Sequence, residues 1–225
     1  MVIQYPEYQP IFADTGAEFP QVYEHIEKVE QKLNIKVVRV KNEKHKSLIE
    51  YIKKSKYFPS WKQRYCTRMF KIEPIEDYLK AQGEFKLGIA LLYEERLLRG
   101  GNHEKYAWYP FIDEEITKKD TIRICKENDL YPEYPPYMSR GGCYNCFFKS
   151  KQEIIGMYLA DPDLFGKLIE LEESVQDQRS YYMFGNLGMS LMNVKKVLDE
   201  GKQTAFKFLD NTNYEHTHCG IFCRK

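Results

Sequence analysis

Four groups of residues in this chain could do chemistry by their type and spacing. Cys143 and Cys146 stand in Gly141-Gly-Cys-Tyr-Asn-Cys146, the C-x2-C spacing of a metal knuckle, with glycines that let the backbone fold close. Cys219 and Cys223 offer a second, looser C-x3-C pair near the end of the sequence. Together the four thiolates could hold zinc or an iron–sulfur cluster; the bland alternative is two unrelated pairs of free thiols. His216 and His218 could stand in as ligands, although a histidine in a tail is more often simply solvated. The third group is Cys66-Thr-Arg-Met-Phe-Lys71, where Arg64, Arg68 and Lys71 bracket a thiol and a hydroxyl. Cations on a turn suit a phosphate or sulfate, and they would favour the thiolate at Cys66; the same residues would also make a plain solvated basic loop. The fourth group is Asp14, Thr15 and Gly16, which put oxygens and a flexible turn directly after the apolar run Ile11-Phe12-Ala13. Read without chemistry, it is an Asp-Gly turn that reverses the chain. Cys125, between Ile124 and the polar face of a helix, reads as a core thiol.

These groups need elements to hold them. Ile11–Ala13 is apolar on both faces, as a strand inside a parallel sheet would be. Val22, Ile26, Val29 and Leu33 follow at helical steps. Residues 35–40 are β-branched and predict a strand; 45–57 predict a helix ended by Pro59. Ile72 to Leu79 predicts a helix with Pro74 in its first turn and Gly83 at its end. Strands are expected at 86–92 and 106–112, around a charged loop at 93–105. Thr117 and Asp120 form a capping box for a helix to Asn128. This alternation predicts an α/β fold, a mostly parallel sheet flanked by helices. Tyr131 to Tyr137 carries three prolines and cannot be helical, so the boundary falls there. Residues 1–137 are read as an α/β domain and 138–225 as a small helical, cysteine-containing C-terminal extension. Within that extension Ser150 with Glu153, Asp161 with Pro162, and the stretch 190–200 mark helices.

At 225 residues the chain has room for one medium domain with an appendage. A net charge of +1 gives no global pull toward nucleic acid or membrane. The basic and aromatic run at 57–71 is the one feature that suggests a nucleic-acid partner. No run of sequence approaches the ~18 apolar residues of a membrane span. The first residues lack the pattern of a signal peptide, so a cytoplasmic location is expected, where six cysteines point to metal, catalysis or burial rather than disulfides.

Four motifs in order give a resemblance. Phe12-Ala-Asp-Thr-Gly-Ala-Glu-Phe-Pro20, Cys66-Thr-Arg-x-x-Lys-Ile-x-Pro74, Trp108-Tyr-Pro-Phe-Ile-Asp113 with its following helix, and Gly142-Cys-x-x-Cys146 are similar to the phosphoadenosine phosphosulfate reductase family, of the PP-loop, adenine nucleotide alpha hydrolase-like type. They cover most of residues 10–175. The chain looks most like the cluster-bearing members, which include sulfur-transfer proteins for DNA modification.

The resemblance implies a Rossmann-like, adenine-nucleotide-binding fold for residues 1–137, binding of ATP, adenylyl sulfate or its 3′-phosphorylated form, and sulfur chemistry: reduction of sulfate, or adenylation with sulfur transfer. It implies Asp14, Thr15 and Gly16 at the edge of a nucleotide pocket, Arg68 and Lys71 on the phosphate or sulfate, and Glu94, Glu95 and Arg96 on a loop beside it. It leaves the cysteines with two readings. Cys66 is an alternative ligand beside the set Cys143, Cys146, Cys219 and Cys223. Cys219-Gly220 resembles the family's catalytic Glu-Cys-Gly-Leu-His tail, with His218 in place of the glutamate, so Cys219 is read as nucleophile or as ligand. Two departures stand out. The family's Ser-Gly-Gly-x-Asp-Ser phosphate loop has no counterpart here, so a longer gene product, a protein partner or a rearranged helix is expected to supply it. Ala90 stands where the family usually has arginine. The alternative expectation is therefore a split or degenerate relative acting as a binding or regulatory subunit, or as one half of a homo-oligomer.

Overall fold

Ile11–Ala13 forms strand β1 and Pro20–Leu33 helix α1, which opens on a proline as its missing N–H allows. The αL residue Asn34 closes α1 by donating its N–H to the Glu30 carbonyl. Strand β2 is Val38–Val40, shorter than the expected 35–40, and it pairs parallel with β1 in the register Ile11 to Val38. Helix α2, Leu48–Ser55, starts at Ser47, whose hydroxyl accepts the Glu50 N–H. Then come α3 (Tyr65–Thr67), a π-helical turn at Arg68–Ile72, and α4 (Glu73–Gln82). The wide turn has a cause in the sequence. Pro74 has no N–H for the Phe70 carbonyl, and the Glu73 N–H reaches back five residues to the Arg68 carbonyl.

This computed structural model describes residues 1–96, 107–176 and 182–201. Strand β3 is Leu87–Gly88 and β4 is Ala107–Trp108, again a parallel pair. The expected strand over 106–112 stops early because Pro110 opens a short helix, α5, at Pro110–Asp113. The strand expected over 86–92 keeps only two paired residues before a 3-10 turn at Tyr93–Glu95. Helix α6 (Lys118–Glu127) has the full capping box of Thr117 and Asp120. Helices α7 (Lys151–Ala160), α8 (Pro162–Gln176) and α9 (Leu191–Asp199) complete the described chain. The fold is α/β with parallel pairing, and its helices dominate. Among the described residues the strands form two separate parallel pairs rather than one continuous sheet.

One hydrophobic cluster runs through the molecule. Phe19, Ile52 and Phe70 from the first half pack with Ile154, Phe165 and Leu168 of the later helices, all nearly inaccessible. Close approach is built in at Gly156, where a Cβ would lie 2.4 Å from that of Tyr137. Glu172 is buried at 2% exposure and accepts the N–H groups of Met183 and Leu191, at 2.8 and 2.6 Å, which fixes the turn before α9 to α8. Cys125, expected in the core, is only half-buried.

Candidate functional site: a thiol cap on the β1 turn

The end of β1 is held open by its own side chains. The Asp14 carboxylate accepts the Gly16 N–H at 2.9 Å and the Tyr23 hydroxyl at 2.8 Å, and pairs with Lys41 at 3.0 Å. Burial pushes its pKa up, but the N–H, the hydroxyl and the ammonium outweigh it and hold the carboxyl below its ordinary value. Gly16 takes φ of +69°, and a Cβ there would meet that of Ser47 at 2.7 Å, so only glycine fits the turn against the start of α2. The Leu48 N–H donates to the Thr15 carbonyl at 2.8 Å and fastens the same turn from above.

The C-x2-C loop sits directly on this turn. The Tyr144 N–H donates to the Ala17 carbonyl at 3.0 Å. The Cys143 thiol lies 3.7 Å from the Thr15 hydroxyl and donates to Glu18 at 3.4 Å; the Thr15 hydroxyl donates to the same carboxylate at 2.7 Å. Successive bonds from the Cys146 N–H to the Cys143 carbonyl and from the Lys149 N–H to the Cys146 carbonyl give the loop its knuckle. The loop is closed across its base by Glu153. That carboxylate accepts the Ser139 N–H and hydroxyl on one side and the Ser150 N–H on the other, while only 1% of the residue is exposed.

Lys71 enters from the π-turn. It is half-buried, and burial opposes its charge, yet Cys143, Glu18, Cys146 and Cys66 around it outweigh that effect and raise its pKa. Three thiols predicted separately thus lie within electrostatic reach of one ammonium. Their state differs from the expectation for Cys66. Burial raises the Cys66 pKa, Cys146 adds to the rise, and Thr67 and Lys71 do not reverse it. The Cys143 thiol, buried and beside Glu18, is pushed up to about 12. Desolvation outweighs the cations, so the bare Cys66 and Cys143 thiols are protonated at neutral pH.

The other predicted residues lie elsewhere. Arg68 points outward, pairs with Glu73 at 3.0 Å and lines a neighbouring cavity of about 400 Å³ below the loop that follows β2. Glu94 accepts the Lys118 N–H at 3.0 Å at the start of α6, and Arg96 lies over the Tyr93 ring and donates to the Tyr93 carbonyl at 2.7 Å. Cys219, Cys223, His216 and His218 lie outside the described residues. Among the described residues no three His, Cys, Asp or Glu side chains stand close enough together to hold a metal ion.

Two residues of the site had no functional reading in the sequence. Glu18 was inside the quoted motif but was not assigned. Lys149 carried no signal at all, since an ordinary lysine after a cysteine loop reads as solvated. Here it is 2% exposed, its Nζ 3.0 Å from Met138 Sδ and 4.9 Å from the centre of the Phe19 ring. Burial pushes its pKa down to about 8, although Glu153 pulls the other way. The unfolded chain therefore holds more protons than the folded one between about pH 8 and the ordinary lysine value of about 10.4. Stability should rise with pH across that window, by up to about 3 kcal/mol. Lys149→Met should lack the rise and be more stable at pH 7; urea titrations of both proteins between pH 7 and 10 measure it.

The fold and the site define an α/β protein whose strand-end turn is capped by the thiol loop that leads into α7. Residues 1–88, the stretch that carries the β1 turn, Cys66 and Lys71, match the family model of the phosphoadenosine phosphosulfate reductase domain. Over 205 residues the chain is 25% identical to an uncharacterized protein of Methanocaldococcus jannaschii, covering 84% of this chain. The chain spans about half, 48%, of that relative's length. No described helix is long and apolar enough to cross a membrane.

Proposed function

We propose that the chain binds an adenine nucleotide beyond the carboxyl ends of β1 and β2 and takes part in sulfur chemistry on it. The nucleotide is ATP, adenylyl sulfate or its 3′-phosphorylated form, and the reaction is sulfate reduction or adenylation with sulfur transfer. The observation that carries the reading is the convergence of the Asp14–Glu18 turn, Lys71 and three thiols. In α/β folds ligands collect beyond the strand ends, and here that place holds a half-buried cation, Lys71. Lys71 would anchor the phosphate or sulfate, Arg68 would meet it from the outer rim, and Asp14, Thr15 and Gly16 would border the sugar and base. Glu94 and Arg96 would act only through a movement toward the nucleotide, since Glu94 is engaged at the start of α6 and Arg96 on Tyr93. Residues 1–137 would form the nucleotide-binding part and 138–225 the thiol cap, in a cytoplasmic protein.

Cys143 and Cys146, with Cys219 and Cys223 or with Cys66 in place of one of these two, would hold zinc or a [4Fe-4S] cluster. The donor types suit either, and Asn145 inside the loop is 3% exposed with an amide oxygen that finds no hydrogen-bond partner. Such a centre, when bound, would keep the thiols deprotonated or pass electrons. Cys219 would otherwise serve as the nucleophile.

A second reading is favoured by the thiol protonation. Thiols raised by burial are poor nucleophiles, so the chain alone would act as a binding or regulatory subunit completed by a protein partner or a second copy. Calorimetric titration with ATP and adenylyl sulfate tests the shared claim. Saturable binding of either nucleotide is expected. Absence of binding, with and without the rest of the gene product, contradicts both readings.

A further inference from the structure

The charge of this chain is segregated. Between Lys41 and Lys71 there are ten lysines and arginines against two acids, Glu43 and Glu50, and no acid between Glu50 and Glu73. The rest of the chain carries the compensating acidic excess. Some of these cations are used internally. Lys56 donates to the Ser174 carbonyl, Arg64 lies over the Phe148 ring, and Lys71 faces the thiols. Lys44, Lys53, Lys54, Lys62 and Arg68 remain exposed.

Aromatic rings run through the same segment. His45 contacts Tyr51 at 4.7 Å, Tyr51 contacts Tyr65 at 5.1 Å, and Tyr65 contacts Tyr57 at 6.2 Å. All four rings are half-buried, so their edges reach the surface. Two rings of the row, His45 and Tyr65, line the cavity of about 400 Å³ together with Lys44 and Arg68. Between Tyr57 and Tyr65 in the sequence stands Trp61, 70% exposed, with the Lys62 ammonium 5.3 Å from its ring. An indole that exposed gains nothing from folding, and the loop around it, Ser60 to Gln63, is closed by its own backbone bond at 3.1 Å.

We infer that this surface binds a single-stranded nucleic acid, with bases stacking on Trp61 and in the cavity, and with backbone phosphates on Lys53, Lys54, Lys62 and Lys44. Rings presented between spaced cations fit a splayed single strand; a duplex hides the base faces that they would stack on. The near-neutral total charge is no obstacle, because attraction depends on the local field and not on the sum. The inference goes beyond the nucleotide chemistry and does not need it.

The test is fluorescence anisotropy with labelled 15-nucleotide strands, oligo-dT and oligo-U in parallel, with the same-length duplex as competitor. Three to four phosphate contacts should weaken binding by roughly 20- to 50-fold between 50 and 200 mM salt. Trp61→Ala should weaken it by about tenfold or more. Lys54→Glu with Lys62→Glu should weaken it further and flatten the salt dependence, while nucleotide binding at Lys71 stays unchanged. A preference for DNA or for RNA names the polymer and supports the proposal. Absent binding at 50 mM salt, a duplex that outcompetes the strand, or a Trp61→Ala protein of unchanged affinity overturns it. Failure here leaves ATP and adenylyl sulfate binding untouched, so the two claims fall separately.

Discussion

Glu153→Ala is expected to lower the stability of the chain by about 3–5 kcal/mol, the range for removing one partner from a buried, hydrogen-bonded charge group. The substitution strips the acceptor from the Ser139 and Ser150 N–H groups and from the Ser139 hydroxyl. It also leaves the Lys149 ammonium buried without the nearest opposite charge. For a protein of this size the loss corresponds to a fall of roughly 10 °C or more in Tm. Glu153→Gln keeps an acceptor oxygen and should cost about 1–2 kcal/mol. Thermal unfolding of both variants separates the loop-closing role from a mere helix cap, which alone is worth about 1 kcal/mol. Because the same carboxylate spans the C-x2-C loop, Glu153→Ala should also make Cys143, 8% exposed in the native chain, open to alkylation.

Lys71→Ala should weaken adenylyl sulfate binding by about 100-fold. A charge-assisted bond from a half-buried ammonium to a phosphate or sulfate contributes about 1.5–3 kcal/mol, and the loss of unshielded positive charge at a desolvated site adds to it. Lys71→Arg keeps the charge but not the compact head, so it should recover only part of the affinity. Arg68→Ala removes an exposed cation already paired with Glu73 and should cost less than tenfold. Calorimetry on the three variants gives the order. An equal effect at Arg68 and Lys71 would mean that the nucleotide lies in the outer cavity and not under the thiol cap.

Much of the site could be read from the residues, because its parts are local. The turn at Asp14–Gly16 depends on a strand, an Asx-type bond and a positive φ, all encoded within five residues. The capping boxes at Thr117 and Ser150 depend on spacings of three and came out as expected. The strand lengths did not. Residues 86–92 and 106–112 have β-rich composition, but Pro110 and the 3-10 turn at Tyr93 end the pairing after two residues. What joins the thiols was also beyond the sequence. Cys66 and Cys143 are 77 positions apart, and only tertiary packing brings them to one lysine. The sign of the Cys66 shift failed for the same reason. Flanking cations are visible in a sequence, but burial is not, and burial has the larger effect here.

The account turns on a nucleotide lying between the β1 turn and the thiols, under Lys71. Alkylation of Cys66 and Cys146, followed by mass spectrometry with and without saturating adenylyl sulfate, asks this directly. The account predicts that bound nucleotide slows modification of both half-buried thiols in the native chain and that Lys71→Ala abolishes the protection. Unchanged alkylation rates while calorimetry shows the nucleotide bound would contradict it, because the ligand would then sit away from the convergence on which the reading is built.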